Sequence, residues 1–358
     1  MAVYIIATII TILLAYCAQH IKINDPHSII NTWCAKKLFR MLTPIPLFMV
    51  AALRYNVGTD YPYTYTQRFL WRLNGYDLSS IFEFGFIKLI DGIQIFTSDP
   101  HWLFVMCAVI FSIFTALAIY EQSCDYAISF AIIVIAGYYF AYLNLMRNYV
   151  ALAIVLYALK YIEKREPIKY ILWTLLATTI HTSVIVYLPL YYIYSIKINR
   201  WLVLGIVVVA GLALPIIDTV ARYVVGFTDY GWYYNLSNSN VVPQITYLII
   251  SLTILAIQII AYRRMKDNML YQFHLKIEMV ITIIGISSFT VPMIRRFILI
   301  PIFSQILVIP YIKKYRINRH IKSIFLLTLY AVLILTTYRQ ITAQEMHSVL
   351  PYQTIFSR

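Results

Sequence analysis

A few ionisable residues stand where an apolar chain has least use for charge. They are Arg54 and Asp60 in "RYNVGTDYPY", Glu83 in "FEFGF", Arg147 in "YLNLMRNYVALA", His181 in "LLATTIHTSVIVYLP", and Arg295 with Arg296 in "PMIRRFILIP". Charged groups at membrane depth are costly, so they face a bundle interior, a watery cavity or a partner. Arginine grips a phosphate through paired donors in a way that lysine cannot, and it neutralises charge developing on a leaving phosphate. Aspartate, glutamate or histidine can activate an acceptor hydroxyl. Burial of Glu83 among phenylalanines predicts a raised pKa, which suits a proton acceptor or donor. Histidine takes or gives a proton near neutral pH. Rings and amides that could hold sugars are near at hand: Tyr61 in the decamer, Asn144 beside Arg147, and Trp232 in the tyrosine-rich "ARYVVGFTDYGWYYNLSNSN". Together these side chains suit a ligand with a lipid tail, a phosphate or pyrophosphate, and sugars. The base is left open among His181, Asp60 and Glu83.

Each residue also has a plain structural account. Tyrosine and arginine are favoured at headgroup level, and Asp with Gly makes a turn. Glu83, Lys88 and Asp91 could form the wet face of an amphipathic helix. Arg147 could snorkel to the interface, His181 could be a packing residue, and the Arg295–Arg296 pair could reach headgroup phosphates. The chemical reading gains over these because the residues, though distant in sequence, fall on or near one face of the membrane once the chain is threaded.

The elements that must position them follow from composition. With 61% hydrophobic and 12% charged residues in 358, and a mean hydropathy of +0.74, the chain departs from water-soluble globules, which carry about 25% charge. It reads as an all-α, polytopic integral membrane protein with about 10–13 transmembrane or re-entrant helices. The whole chain, 1–358, reads as a single membrane domain, with outer loops near 54–100 and 220–240. Spans of roughly twenty apolar residues, or fewer where buried in protein, fall near 3–19, 38–53, 102–120, 127–143, 148–162, 201–219, 241–262, 273–292, 297–312 and 322–338. The first segment lacks a basic n-region and an A-x-A site, so it reads as a helix and not as a signal peptide.

The formal net charge of +14 is largely what orientation requires. If 169–196 forms two short arms turning at "IHTS", the clusters around Lys36, Lys160, Lys197, Arg263, Lys276 and Lys313 all fall inside. One continuous helix would put "RRMKD" and "KKYRINRHIK" outside. The two-arm reading leaves Arg54, Asp60, Arg147, His181, Arg295 and Arg296 at the outer face. The four cysteines show no C-x-x-C spacing. No zinc motif, phosphate-cradling Gly-rich loop or nucleic-acid fold is present, so no metal, cofactor or nucleic acid is expected.

Taken in order, "LRYNVGTDYPYTY", the Glu of "FEFGF", "NLMRNYVALAIVLYALKYIEKR", "LLATTIHTSVIVYLP" and "PYQTIF" resemble the EpsG family, which is similar to the Wzy polymerases of O-antigen and capsule. The resemblance runs through most of the chain and is strongest from 50 to 195. It implies a multi-pass protein of the bacterial cytoplasmic membrane whose active site faces the periplasm or outside. There it would transfer a growing glycan from undecaprenyl pyrophosphate to an incoming lipid-linked repeat unit, making O-antigen, capsule or exopolysaccharide. Its partners would be membrane lipid, the lipid-linked oligosaccharide and a chain-length regulator. By that match Arg54, Gly58, Asp60, Glu83, Arg147 and His181 occupy motif positions, and Arg295 or Arg296 the later arginine. Asn148 departs from the glutamine often found after the motif arginine. Two other readings use the same cations: a flippase or transporter of lipid-linked sugars, which should show related halves, and a glycan ligase or acyltransferase using His181.

Overall fold

The computed structural model describes residues 1–21, 29–213, 242–287, 302–342 and 346–357, with the single positions 216, 219 and 223. Among these the protein is all-α and polytopic, and the sole extended pairing is a bridge between Arg54 and Thr354. Helices satisfy every backbone group internally, which lipid demands. Five described helices are long and apolar enough to cross a membrane: Ala2–His20 (α1), His101–Gln122 (α6), Tyr247–Met265 within Val242–Met265 (α14), Met269–Ser287 (α15) and Arg319–Thr342 (α17). Several other predicted spans are built from shorter pieces. The segment at 38–53 breaks at Thr43 and Pro44 between Ile29–Leu42 (α2) and Ile45–Ala52 (α3). The one at 127–143 breaks into Tyr126–Ile135 (α7) and Tyr138–Asn144 (α8), bent by 55°. Gly137, at φ 80°, makes that bend, a backbone state open chiefly to glycine.

The described residues form two compact units, Met1–Leu188 with Ile334–Arg358, and Pro189–Leu333, where the sequence reading treats the chain as one domain. In the first unit, α1 buries Tyr4, Ala7, Thr11, Ala15 and Ala18 on one stripe, while Ile5, Ile6, Ile9, Ile10 and Leu13 stay exposed, as a lipid-facing surface requires. Small residues on the buried stripe let α7 approach closely. The next elements are a π-helical turn at Tyr61–Thr66 and the helices Gln67–Leu73 (α4) and Phe84–Gln94 (α5). After α6, α7 and α8 come Met146–Ala158 (α9), Lys160–Glu163 (α10) and Pro167–Ile180 (α11). The chain breaks at His181, in extended conformation, and continues as a 3-10 turn over Thr182–Tyr187. The Tyr170 hydroxyl donates to the carbonyl of Tyr187 at 2.5 Å. Residue 187 has therefore returned alongside residue 170, and the chain doubles back at "IHTS".

The second unit contains Leu190–Ser195 (α12), Arg200–Leu212 (α13), α14, α15, Gln305–Tyr311 (α16) and most of α17. Several of its buried polar groups meet across helices. Ser251 meets Thr282 at 2.7 Å and Gln305 Nε2 donates to Glu278 Oε1 at 2.8 Å. Lys276, 1% exposed, donates to the carbonyls of Ile193, Tyr194 and Ile196 at 2.7, 2.9 and 2.6 Å. Lys276 is thus no solvated cytoplasmic charge but a cap on the C-terminal carbonyls of α12. Lys160 in the first unit, 6% exposed, is likewise spent on Glu121 at 2.7 Å.

Candidate active site at the break between two helices

The first unit gathers its chemistry around one irregularity. Between α8 and α9 the backbone leaves the helix at Leu145, with φ −86° and ψ 48°. Residues just before and after this break turn to two different neighbours.

On one side they hold the loop that carries "RYNVGTDY". Arg54 Nη1 donates to the carbonyls of Leu143 and Val57, and Nη2 to Met146 Sδ at 3.5 Å. Its guanidinium lies over Phe104 at 5.1 Å and Tyr61 at 5.8 Å. Arg54 is 1% exposed, so in place of the phosphate contact expected of it the side chain ties the loop to α8. Gly58 sits at φ 103°, and a Cβ there would lie 2.7 Å from the Leu143 carbonyl oxygen. Asn144 Oδ1 accepts from the Asp60 backbone N–H at 2.9 Å and from the Thr59 hydroxyl. The amide expected to hold a sugar thus anchors the loop backbone. Tyr61, also expected to meet sugar, is 5% exposed and stacks on Phe104 with centroids 3.9 Å apart. Asp60 is half-buried at the head of the π-helical turn.

The far side of this loop is held by the chain's C-terminal segment. Backbone N–H groups of Tyr55, Gly58 and Thr59 donate to the carbonyls of Gln353, Ser348 and His347 at 2.9, 3.1 and 3.2 Å. Ile355 N–H returns to Leu53 at 3.0 Å, and the Tyr352 hydroxyl to Val50 at 2.9 Å. "PYQTIF" and "RYNVGTDY", which open and close the motif series, are therefore bonded neighbours.

On the other side of the break, Arg147, Glu83 and His181 come together. Arg147 Nη1 donates to Glu83 Oε2 at 2.5 Å and to the carbonyl of Ile81 at 3.1 Å. Glu83 Oε1 faces His181 Nδ1 at 3.0 Å, the Thr182 backbone N–H at 3.0 Å and the Thr182 hydroxyl at 3.2 Å. These residues arrive from α9, from the N-terminus of α5 and from the doubling-back after α11. Gly85 makes the approach possible, because a methyl on it would overlap Thr179 near the end of α11. Tyr65, Phe82 and Phe86 enclose the guanidinium. The Tyr65 hydroxyl accepts from the Arg147 backbone N–H at 3.3 Å, and Phe82 lies 4.7 Å from the guanidinium carbon. Of the amphipathic-helix alternative, Lys88 and Asp91 do pair on the surface, Asp91 also binding Arg72, but Glu83 faces away from them.

Side chains of Arg147, Glu83 and His181 are 19%, 15% and 21% exposed, largely desolvated yet reachable from solvent. Burial alone would push the Glu83 carboxyl up, as the sequence led us to expect. The His181 hydrogen bond, the Arg147 charge and the Thr182 N–H outweigh it and hold the carboxyl down at about 2. Glu83 is thus an ionised acceptor. A carboxylate has no hydrogen to donate, so Nδ1 of His181 carries the proton toward it, and Nε2 is the ring nitrogen that this bond leaves free of Glu83. A carboxylate fixing the tautomer of an imidazole is the arrangement that prepares histidine to accept a proton.

Arg295, Arg296 and Trp232 lie outside the described residues. Sequence reasoning missed Tyr65, Phe82 and Phe86 as the walls of the site. The signal was the run of phenylalanines on both sides of Glu83. No group of three or more metal-ligating side chains occurs among the described residues.

The helices and this cluster define a class: a polytopic, all-α membrane protein with a partly accessible Arg–Glu–His constellation. Residues 37–354 match the EpsG family model, and the chain belongs to that family, a Wzy-like polysaccharide polymerase family. No curated protein and no solved structure matches the chain.

Proposed function

We propose that this protein is a membrane glycosyltransferase that polymerises lipid-pyrophosphate-linked oligosaccharide repeats on the outer face of the bacterial cytoplasmic membrane. The observation that carries the reading is the single carboxylate of Glu83 binding both Arg147 and His181. His181 Nε2 takes the proton of the acceptor sugar hydroxyl, and the hydroxyl oxygen forms a bond to the anomeric carbon of the donor. The bond from that carbon to the pyrophosphate oxygen breaks, and the electron pair leaves with the lipid pyrophosphate. Arg147, whose Nη1 is committed to Glu83 and Ile81, offers Nη2 and Nε to that charge. Glu83 positions both partners. Arg54, Gly58 and Asn144 build the neighbouring loop, while Asp60 is kept as a residue that meets substrate from that loop.

The test is deletion of the gene, with lipid-linked and surface glycans read by gel and mass spectrometry. Single repeat units accumulating on the outer side, with no long polymer, are the expected result. Units confined to the cytoplasmic side would make the protein a flippase, and unchanged glycan would overturn the reading altogether.

A further inference from the structure

Glu83 occupies Nη1 of Arg147, so that guanidinium meets a pyrophosphate with its remaining donors alone. A second guanidinium shares its aromatic wall. Arg68, in α4, lies over the same Phe82 ring at 5.7 Å from its centroid, where Arg147 lies at 4.7 Å. The two cations differ in their obligations. Arg68 Nη1 makes one long hydrogen bond, 3.4 Å to the Thr64 carbonyl. Its Nε is buried with no hydrogen-bond partner, and no carboxylate pairs with it among the described residues. One turn further along the same helix, Arg72 binds both oxygens of Asp91, at 2.7 and 3.2 Å. A buried donor left without an acceptor is costly, and an ionised acceptor placed there removes the cost.

We infer that Arg68 is the principal anion-binding residue of this site, gripping a lipid-linked phosphate or pyrophosphate together with the remaining donors of Arg147. The inference rests on the proposed function, since it takes the ligand to be the leaving group of that reaction. Arginine suits the place because its planar fork meets two phosphate oxygens at once. The sequence gives no hint of this division of labour. Both arginines lie on the one short helix Gln67–Leu73, and the pairing of Arg72 with Asp91 sets Arg68 apart.

The experiment measures binding of farnesyl pyrophosphate to the purified full-length protein in detergent, by isothermal titration, with phosphatidylglycerol as a competitor. Arg68→Ala should weaken binding about ten- to a hundredfold, the range for a hydrogen bond to a charged group. Arg68→Lys should fall between it and the wild type, and Arg72→Ala should bind as the wild type does. If Arg68→Ala loses helix content by circular dichroism, Arg68→Lys and Arg68→Gln carry the comparison. Wild-type affinity in the Arg68 variants together with loss in Arg147→Ala would overturn the inference and leave the proposed function standing. Displacement by equal phosphatidylglycerol would make the anion a bilayer headgroup and overturn the assignment to the donor. No binding by the wild type would bring down the inference and the proposed leaving group together.

Discussion

Among the described residues, Glu83 in the first unit and Glu278 in the second both sit in apolar surroundings, and their companions differ. Both oxygens of Glu83 are taken, by a guanidinium on one side and by an imidazole and a threonine on the other. Glu278 is 0% exposed, receives one amide hydrogen from Gln305, and leaves Oε2 buried without a partner. Burial is shared, so burial does not make a site. What separates the two is the presence of groups that change charge or carry it, together with access from solvent. Glu83 brings a guanidinium and an imidazole together, whereas Glu278 joins two helices.

Mutation should separate them in kind as well as in degree. The largest effect is expected at His181. Replacing it by alanine removes the proposed base and should lower polymer formation by about 10²–10⁴-fold, measured in proteoliposomes with lipid-linked repeats, with thermal stability little changed. A variant that keeps full activity would erase the distinction drawn between the two carboxylates. Next comes the response to acid. The folded-state pKa of Glu83 is depressed, so its contribution to stability is full above the ordinary glutamate range of ~4.3 and is lost as pH falls toward about 2. The stability difference between wild type and Glu83→Gln, followed by thermal unfolding between pH 3 and pH 8, should be constant above about pH 5 and shrink below it. A difference that instead grows on acidification would mean the opposite sign. The smallest effect is expected at Glu278. Glutamine there keeps an oxygen for Gln305 to donate to, so Glu278→Gln should change stability by no more than about 1 kcal/mol and leave polymer formation intact. Loss of activity in that variant would make the second carboxylate a functional residue after all.

The residue types of the cluster were legible in the sequence, but their assembly was not. Glu83, Arg147 and His181 each stood out because charge in an apolar run is expensive. That one carboxylate would bind the other two depends on Gly85 meeting Thr179 and on the chain doubling back at His181, contacts between elements nearly 100 residues apart that no local pattern reveals. The pKa of Glu83 was misjudged for the same reason, since its apolar neighbours are visible in sequence and its two partners are not. Arg54, Asn144 and Tyr61 show the converse. Their types suit phosphate and sugar, but each side chain turns inward to build the loop at 54–60. Lys160 and Lys276 read as orientation charges because sequence supplies no view of Glu121 or of the α12 carbonyls. At the level of fold, long spans such as α1, α6 and α17 follow directly from hydropathy. The breaks at Pro44, Gly137 and Leu145 that shape the site depend on one or two residues each.

The pairing of residues 53–59 with 347–355 also has a consequence for biogenesis. Val50 and Tyr352, which close one end of that pairing, are 302 positions apart. At a synthesis rate of about 5–20 residues per second, roughly 15–60 s pass between the emergence of the loop and that of its partner. Throughout that interval the loop lacks the carbonyls to which Tyr55, Gly58 and Thr59 donate. The ribosome thus delivers Glu83, Arg147 and His181 to the bilayer well before their neighbouring loop acquires its frame, and insertion precedes completion of the site.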